Sequence, residues 1–157
     1  ALKEISIPPS VKSIGKFAFN LCSSLMKVTF ESPSSVETLG DSAFRNCKSL
    51  TSISIPTSVV SIGSYAFYNC TSLKNVFYAS QSSLNSIGNY AFGCCSSLIS
   101  THIPSSVKQK GLKLFYKPNF LAKSNSNYTG WNNAGSDWNA NRPNLNQYNS
   151  TQAVYLT

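Results

Sequence analysis

Residues 61–73 read Ser61-Ile62-Gly63-Ser64-Tyr65-Ala66-Phe67-Tyr68-Asn69-Cys70-Thr71-Ser72-Leu73, and the same order of residue types returns at Ser13–Leu25 and Ser86–Leu98. A segment that recurs at a fixed period marks a repeat architecture. The leucine that closes each copy opens the next. Leu2, Leu25, Leu50, Leu73 and Leu98 stand 23, 25, 23 and 25 residues apart. The two longer units carry Glu31–Ser35 and Ala79–Ser83 where the shorter ones turn tightly at Pro8 and Pro56.

Working outward from that stretch, each column has a physical reading. Leu50, Ile53 and Ile55 follow a strand pattern, with Ile53 and Ile55 on one face. Their counterparts are Ile5 and Ile7, Val28 and Phe30, Val76 and Tyr78, and Thr101 and Ile103. Pro8, Pro56 and Pro104 end these strands, because proline cannot donate to a ladder. A second short apolar patch starts at Val11, Val36, Val59, Leu84 and Val107 and continues at Ile14, Leu39, Ile62 and Ile87. Gly15, Gly40, Gly63 and Gly88 then permit unusual dihedrals or close packing. Ala18, Ala43, Ala66 and Ala91 precede Cys22, Cys47, Cys70 and Cys95 by four residues, which predicts a short helix with both on its inner face. One unit cannot bury its own apolar face, but stacked units can. The predicted fold is an α/β solenoid, with a parallel β-sheet on the concave side, short helices or turns on the convex side, and a C-terminal cap. Strands would stack at about 4.8 Å.

These motifs resemble the BspA-type leucine-rich repeat, a family of bacterial and protist surface proteins. The resemblance covers about residues 1–121 and rests on the copies at Ser13–Leu25, Ser61–Leu73 and Ser86–Leu98. It implies a non-catalytic surface or secreted protein that adheres to host proteins, matrix or other cells. The fold itself implies no function. Unit five departs from the pattern: Lys110 replaces an apolar residue, Leu114-Phe115 stands for Ala-Phe, and Pro118 falls where the cysteine should be. Terminal repeats are often atypical because they cap the core. Residues 122–157, rich in Asn and Ser with Trp131, Trp138 and an alternating Ala153–Leu156, read as a loop-rich cap or a flexible tail.

Only 11% of residues are charged, under half the usual share of about 25%. The balance is nevertheless +8, with 13 basic and 5 acidic residues. That favours acidic partners. Lys108, Lys110, Lys113 and Lys117 form a basic flank, read either as a steering patch or as a solvated edge. No apolar run is long enough to span a bilayer. The chain starts at Ala1 without a signal peptide, as a fragment or a processed chain would.

Catalysis is not expected. The one histidine, His102, has no G-x-S-x-G or Walker A motif around it. Cys22, Cys47, Cys70 and Cys95 read as a ladder of buried thiols. A disulfide between stacked neighbours is the lesser option, since their Cβ vectors run parallel. Cys94, Cys95 and His102 lack zinc-ligand spacing, and no metal or cofactor is implied. Three N-x-[ST] sequons begin at Asn69, Asn127 and Asn149. The remaining candidate is the exposed side of the strands, where small polar residues are interrupted by Phe77. Lys27, Asn75, Phe77 and His102 are the candidate binding residues for a protein or glycan partner on cells or matrix. Alternatively, Phe77 is covered by the tail or a neighbouring chain. A repeat serving only as a spacer, with no ligand of its own, is the second functional reading. Specific nucleic-acid binding is not expected, for want of a Lys/Arg-rich helix or an aromatic stacking platform.

Overall fold

A computed structural model describes residues 1–116. The cap expected over 122–157 and the candidate residue Lys117 lie outside the described residues. Within them the chain winds as a solenoid of strands: β1 (Glu4–Ile7), β2 (Ser13–Ile14), β3 (Lys27–Phe30), β4 (Thr38–Leu39), β5 (Ser52–Ile55), β6 (Ser61–Ile62), β7 (Asn75–Tyr78), β8 (Ser86–Ile87), β9 (Ser100–Thr101) and β10 (Gln109–Lys110). Odd-numbered strands line one side of each coil and even-numbered strands a second, and all pairings are parallel.

Register follows the columns read from the sequence. Ile5 pairs with Val28, Ile53 with Val76, and Val76 with Thr101. In β5 the inward Ile53 and Ile55 are apolar and buried while the alternating Ser52 and Ser54 are exposed, and β9 puts the polar Thr101 in the same buried column. The longer units absorb their added residues without slipping register, because Glu31–Pro33 and Ser80–Gln81 are exposed. The odd-numbered side is not one continuous sheet. β1 pairs with β3, and β5 with β7 and β9, but β3 and β5 form no ladder. The second apolar patch turns out to be an unbroken five-stranded sheet, β2-β4-β6-β8-β10, whose two-residue strands place Ile14, Leu39, Ile62 and Ile87 in the core.

The expected convex helices are not formed among the described residues. The third side of each coil is a run of turns. Alternate N–H groups bond three residues back within the coil, as Ala43 to the Gly40 carbonyl, Arg45 to Ser42 and Cys47 to Phe44. The N–H groups between them reach the next coil: Ser42 donates to the Ser64 carbonyl, Phe44 to Ala66 and Asn46 to Tyr68. A helix would close every N–H inside the segment, leaving nothing for the neighbouring coil. Residues flanking each Ala-Phe pair also have positive φ, among them Phe17, Leu21, Tyr65, Asn69, Tyr90 and Cys94, which a right-handed helix forbids. Alanine and cysteine still point inward together, since Ala43, Cys47, Ala66 and Cys70 are fully buried.

The phenylalanines between them stack along the axis. Phe19, Phe44, Phe67, Phe92 and Phe115 follow one another with ring centroids 5.1, 5.2, 5.4 and 5.7 Å apart. The glycine column serves close packing rather than unusual dihedrals, because no described glycine has positive φ. A Cβ on Gly63 would lie 2.5 Å from the Asp41 backbone nitrogen of the preceding coil.

Candidate binding surface

The outward residues of the odd-numbered strands build the first candidate surface. β7 alternates Val76 inward with Asn75 and Phe77 outward. Phe77 is 54% exposed and stands opposite Ser54 of β5. Its ring separates two grooves. One, of about 500 Å3, is lined by Lys27, Thr29, Ser52, Ser54 and Phe77. The other, of about 440 Å3, is lined by Phe77, Tyr78, Gln81, His102 and Pro104. Lys27 and His102 thus flank Phe77 on opposite sides. Asn75 shares the outward side of β7, half-buried, and lines neither groove. His102 is exposed just beyond the end of β9. Elsewhere the outward column is small and polar, as Ser6 and Thr29 are, apart from the exposed Glu4, which stands opposite Lys27. An exposed aromatic flanked by cationic and neutral polar groups has the chemistry to pack and to hydrogen-bond at one place.

The basic flank does not stay together. Lys108 and Lys110 line a shallow groove of about 790 Å3 on the even-numbered side, with Asp41, Ser61, Ser86 and Gly111. Lys113 belongs to the turn side, where its Nζ lies 5.4 Å from the Tyr116 ring centroid. Turns three residues apart in sequence point these lysines in different directions.

On the turn side lies an aromatic cluster that the helix reading hid. Tyr65 and Tyr90 stack at 5.1 Å with an interplanar angle of 5°. Tyr68 meets Tyr65 edge-on at 5.3 Å, and Tyr116 meets Tyr90 edge-on at 5.7 Å. The Arg45 guanidinium lies over Tyr68 at 5.4 Å and over Tyr65 at 5.8 Å. A Cβ on Gly93 would lie 2.9 Å from the Tyr68 ring, so the glycine makes room for it. The 25-residue offset from Tyr65 to Tyr90 equals one long unit. That offset was the available signal, provided the segment was taken as a ladder rather than a helix.

Among the described residues no cysteine forms a disulfide. Cys47, Cys70 and Cys95 are buried, and their thiols donate to the carbonyls of Phe19, Phe44 and Phe67 at 3.2, 3.1 and 3.1 Å. Burial, reinforced by the neighbouring Cys22, pushes the Cys47 thiol up to about 12. Burial likewise raises Cys70 well above its ordinary value. A hydrogen bond with Cys94 is the main reason the Tyr68 phenol is pushed up to about 12. Among the described residues no three His, Cys, Asp or Glu side chains converge as metal ligands would. In the Asn69 sequon the side-chain nitrogen donates to Asn46 Oδ1 at 2.8 Å, and Cys70 is buried. No helix among the described residues is long and apolar enough to cross a membrane.

Residues 1–122 match the family model described as BspA type leucine rich repeat region, in six copies where the leucine column counts five units. No curated protein matches the chain. Among solved structures it is similar to the pneumococcal vaccine antigen PcpA, with 35% identity and a TM-score of 0.68 over 72% of this chain and 27% of that one. It is similar to a leucine-rich repeat protein from Bacteroides ovatus, with 36% identity and a TM-score of 0.64 over 73% of this chain and 28% of that one. A leucine rich cell surface protein from Faecalibacterium prausnitzii is 30% identical, with a TM-score of 0.51 over 74% of this chain and 36% of that one. The chain therefore spans well under two thirds of the length of each of these proteins.

Proposed function

The chain belongs to the BspA-type leucine-rich repeat family, and from that premise we propose that it is a non-catalytic binding module of a bacterial surface or secreted protein. Its partner is a protein or glycan of cells or matrix, engaged through the odd-numbered strands. The observation that carries this reading is Phe77, 54% exposed between the two grooves that hold Lys27 and His102. The strand lattice sets the backbone that carries Lys27 and Phe77 before any partner arrives, so little backbone entropy is lost on contact. Surface placement is supported by the vaccine antigen and the cell surface protein to which the chain is similar.

The test is binding of the chain to immobilised matrix proteins, sulfated glycans and whole cells, beside a Phe77→Ala variant. Loss of a central aromatic anchor is expected to weaken binding to one target roughly tenfold or more, with the melting temperature held. Binding that ignores Phe77→Ala removes this surface from the account. Absence of binding to every target favours the spacer reading.

A further inference from the structure

We propose that the turn side is a second docking surface and that its partner is a short extended acidic peptide segment. Tyr65 stacks on Tyr90, Tyr116 abuts Tyr90, Arg45 lies over Tyr65 and Tyr68, and Lys113 lies over Tyr116. Tyr65 is thus flanked by Tyr90 and by Arg45, and Tyr116 by Lys113. Tyr65 is 36% exposed, and the edges of such rings are the electropositive part of an aromatic system.

Charge points the same way. The equivalent turn segments 41–48, 64–71, 89–97 and 112–116 contain Arg45, Lys48 and Lys113 against a single acid, Asp41. Asp41 accepts a hydrogen bond from the Ser64 N–H at 2.8 Å and lines the groove of the even-numbered side. Among the described residues Arg45 makes no ion pair, and its Nε is buried without a hydrogen-bond partner. The Arg45 guanidinium, 5.4 and 5.8 Å from the centroids of two rings, carries the planar N–H fork that suits a bidentate carboxylate. Arg45 and Lys113 lie in the second and fifth coils. Three coil steps of about 4.8 Å come to about 14 Å, the reach of roughly four extended residues. A peptide rather than a sugar or a nucleic acid is favoured because the stacked pair Tyr65–Tyr90 closes its facing sides to an inserted base or sugar, while the unpaired cations suit carboxylates.

This surface is on another side of the coil from Phe77, so the two readings fail separately. The experiment is fluorescence anisotropy of the full chain with labelled hexaglutamate, at low and high salt, beside labelled hexaglutamine and a labelled sulfated oligosaccharide. Hexaglutamate is expected to bind saturably and hexaglutamine not to bind. Arg45→Lys, which keeps charge but loses the fork, is expected to weaken hexaglutamate about tenfold, and Lys113→Gln about threefold, both with unchanged melting curves. Lys108→Gln/Lys110→Gln and Phe77→Ala are expected to change it by less than about twofold. Should Arg45→Lys disturb folding, Lys113→Gln alone decides the matter. Equal loss in the Lys108/Lys110 double variant overturns the proposal in favour of net charge. Tighter binding of the sulfated oligosaccharide overturns it in favour of an anionic glycan, and no binding of hexaglutamate overturns it outright.

Discussion

Leu21 occupies a column whose backbone is left-handed, with φ of 64°, and it is 67% exposed. The same column holds Asn46 and Asn69 at φ of 62° and 61°. Asparagine tolerates this region far better than a bulky apolar residue. Leu21→Asn is therefore expected to stabilise the chain by about 1 kcal/mol, read as a rise of a few degrees in a thermal melt. An unchanged or lower melting temperature would show that the strain is relieved elsewhere. At this scale the sequence was legible wherever one residue broke a column. Phe77 stood out among serines and threonines and is exposed. Tyr65 and Tyr90 did not stand out, because a helix reading gives residues of different units no common face.

At the scale of the element, the strands were legible because their alternation has only one structural meaning, a pleated face with one buried side. The turn side was not. A four-residue offset from alanine to cysteine satisfies a helix and a ladder of turns equally well, and only the inter-coil bonds of Phe44, Asn46 and their equivalents distinguish them. The glycine column gives an element-scale test. Gly63→Ala brings a Cβ to within 2.5 Å of the Asp41 backbone nitrogen, whereas a Cβ on Gly15 meets nothing within 4 Å. Since neither glycine has positive φ, only space separates them. Gly63→Ala is expected to cost roughly 1–3 kcal/mol through overpacking. Gly15→Ala is expected to be neutral or slightly stabilising, by restricting the unfolded chain. Equal melting temperatures for the two variants would contradict this account of the column.

For the whole molecule, the repeat period gave the stacking of the described coils, and it could not reveal the interrupted ladder between β3 and β5. The buried thiols make stability depend on pH. Cys47 is raised from an ordinary value of 9.0 to about 12, and Cys70 is raised as well. Above pH 9 the unfolded chain releases protons that the folded chain retains, so stability falls as pH rises. Their contribution is fully present below pH 9 and is lost progressively toward 12. Melting temperature is expected to hold from pH 7 to 8.5 and to fall from about pH 9 upward. Cys47→Ala/Cys70→Ala should flatten that fall, and an equally steep one would assign it to other groups. The inter-coil bonds carry one more consequence. On the turn side alternate N–H groups point toward the next coil, as Phe44 does to Ala66, whereas beside the strands Gly40 and Gly63 point back to Ile14 and Leu39 of the coil before. Opposed peptide dipoles largely cancel along the axis, unlike the aligned dipoles of a helix. Coils of this kind can therefore be added to an array without a growing charge separation between its two ends.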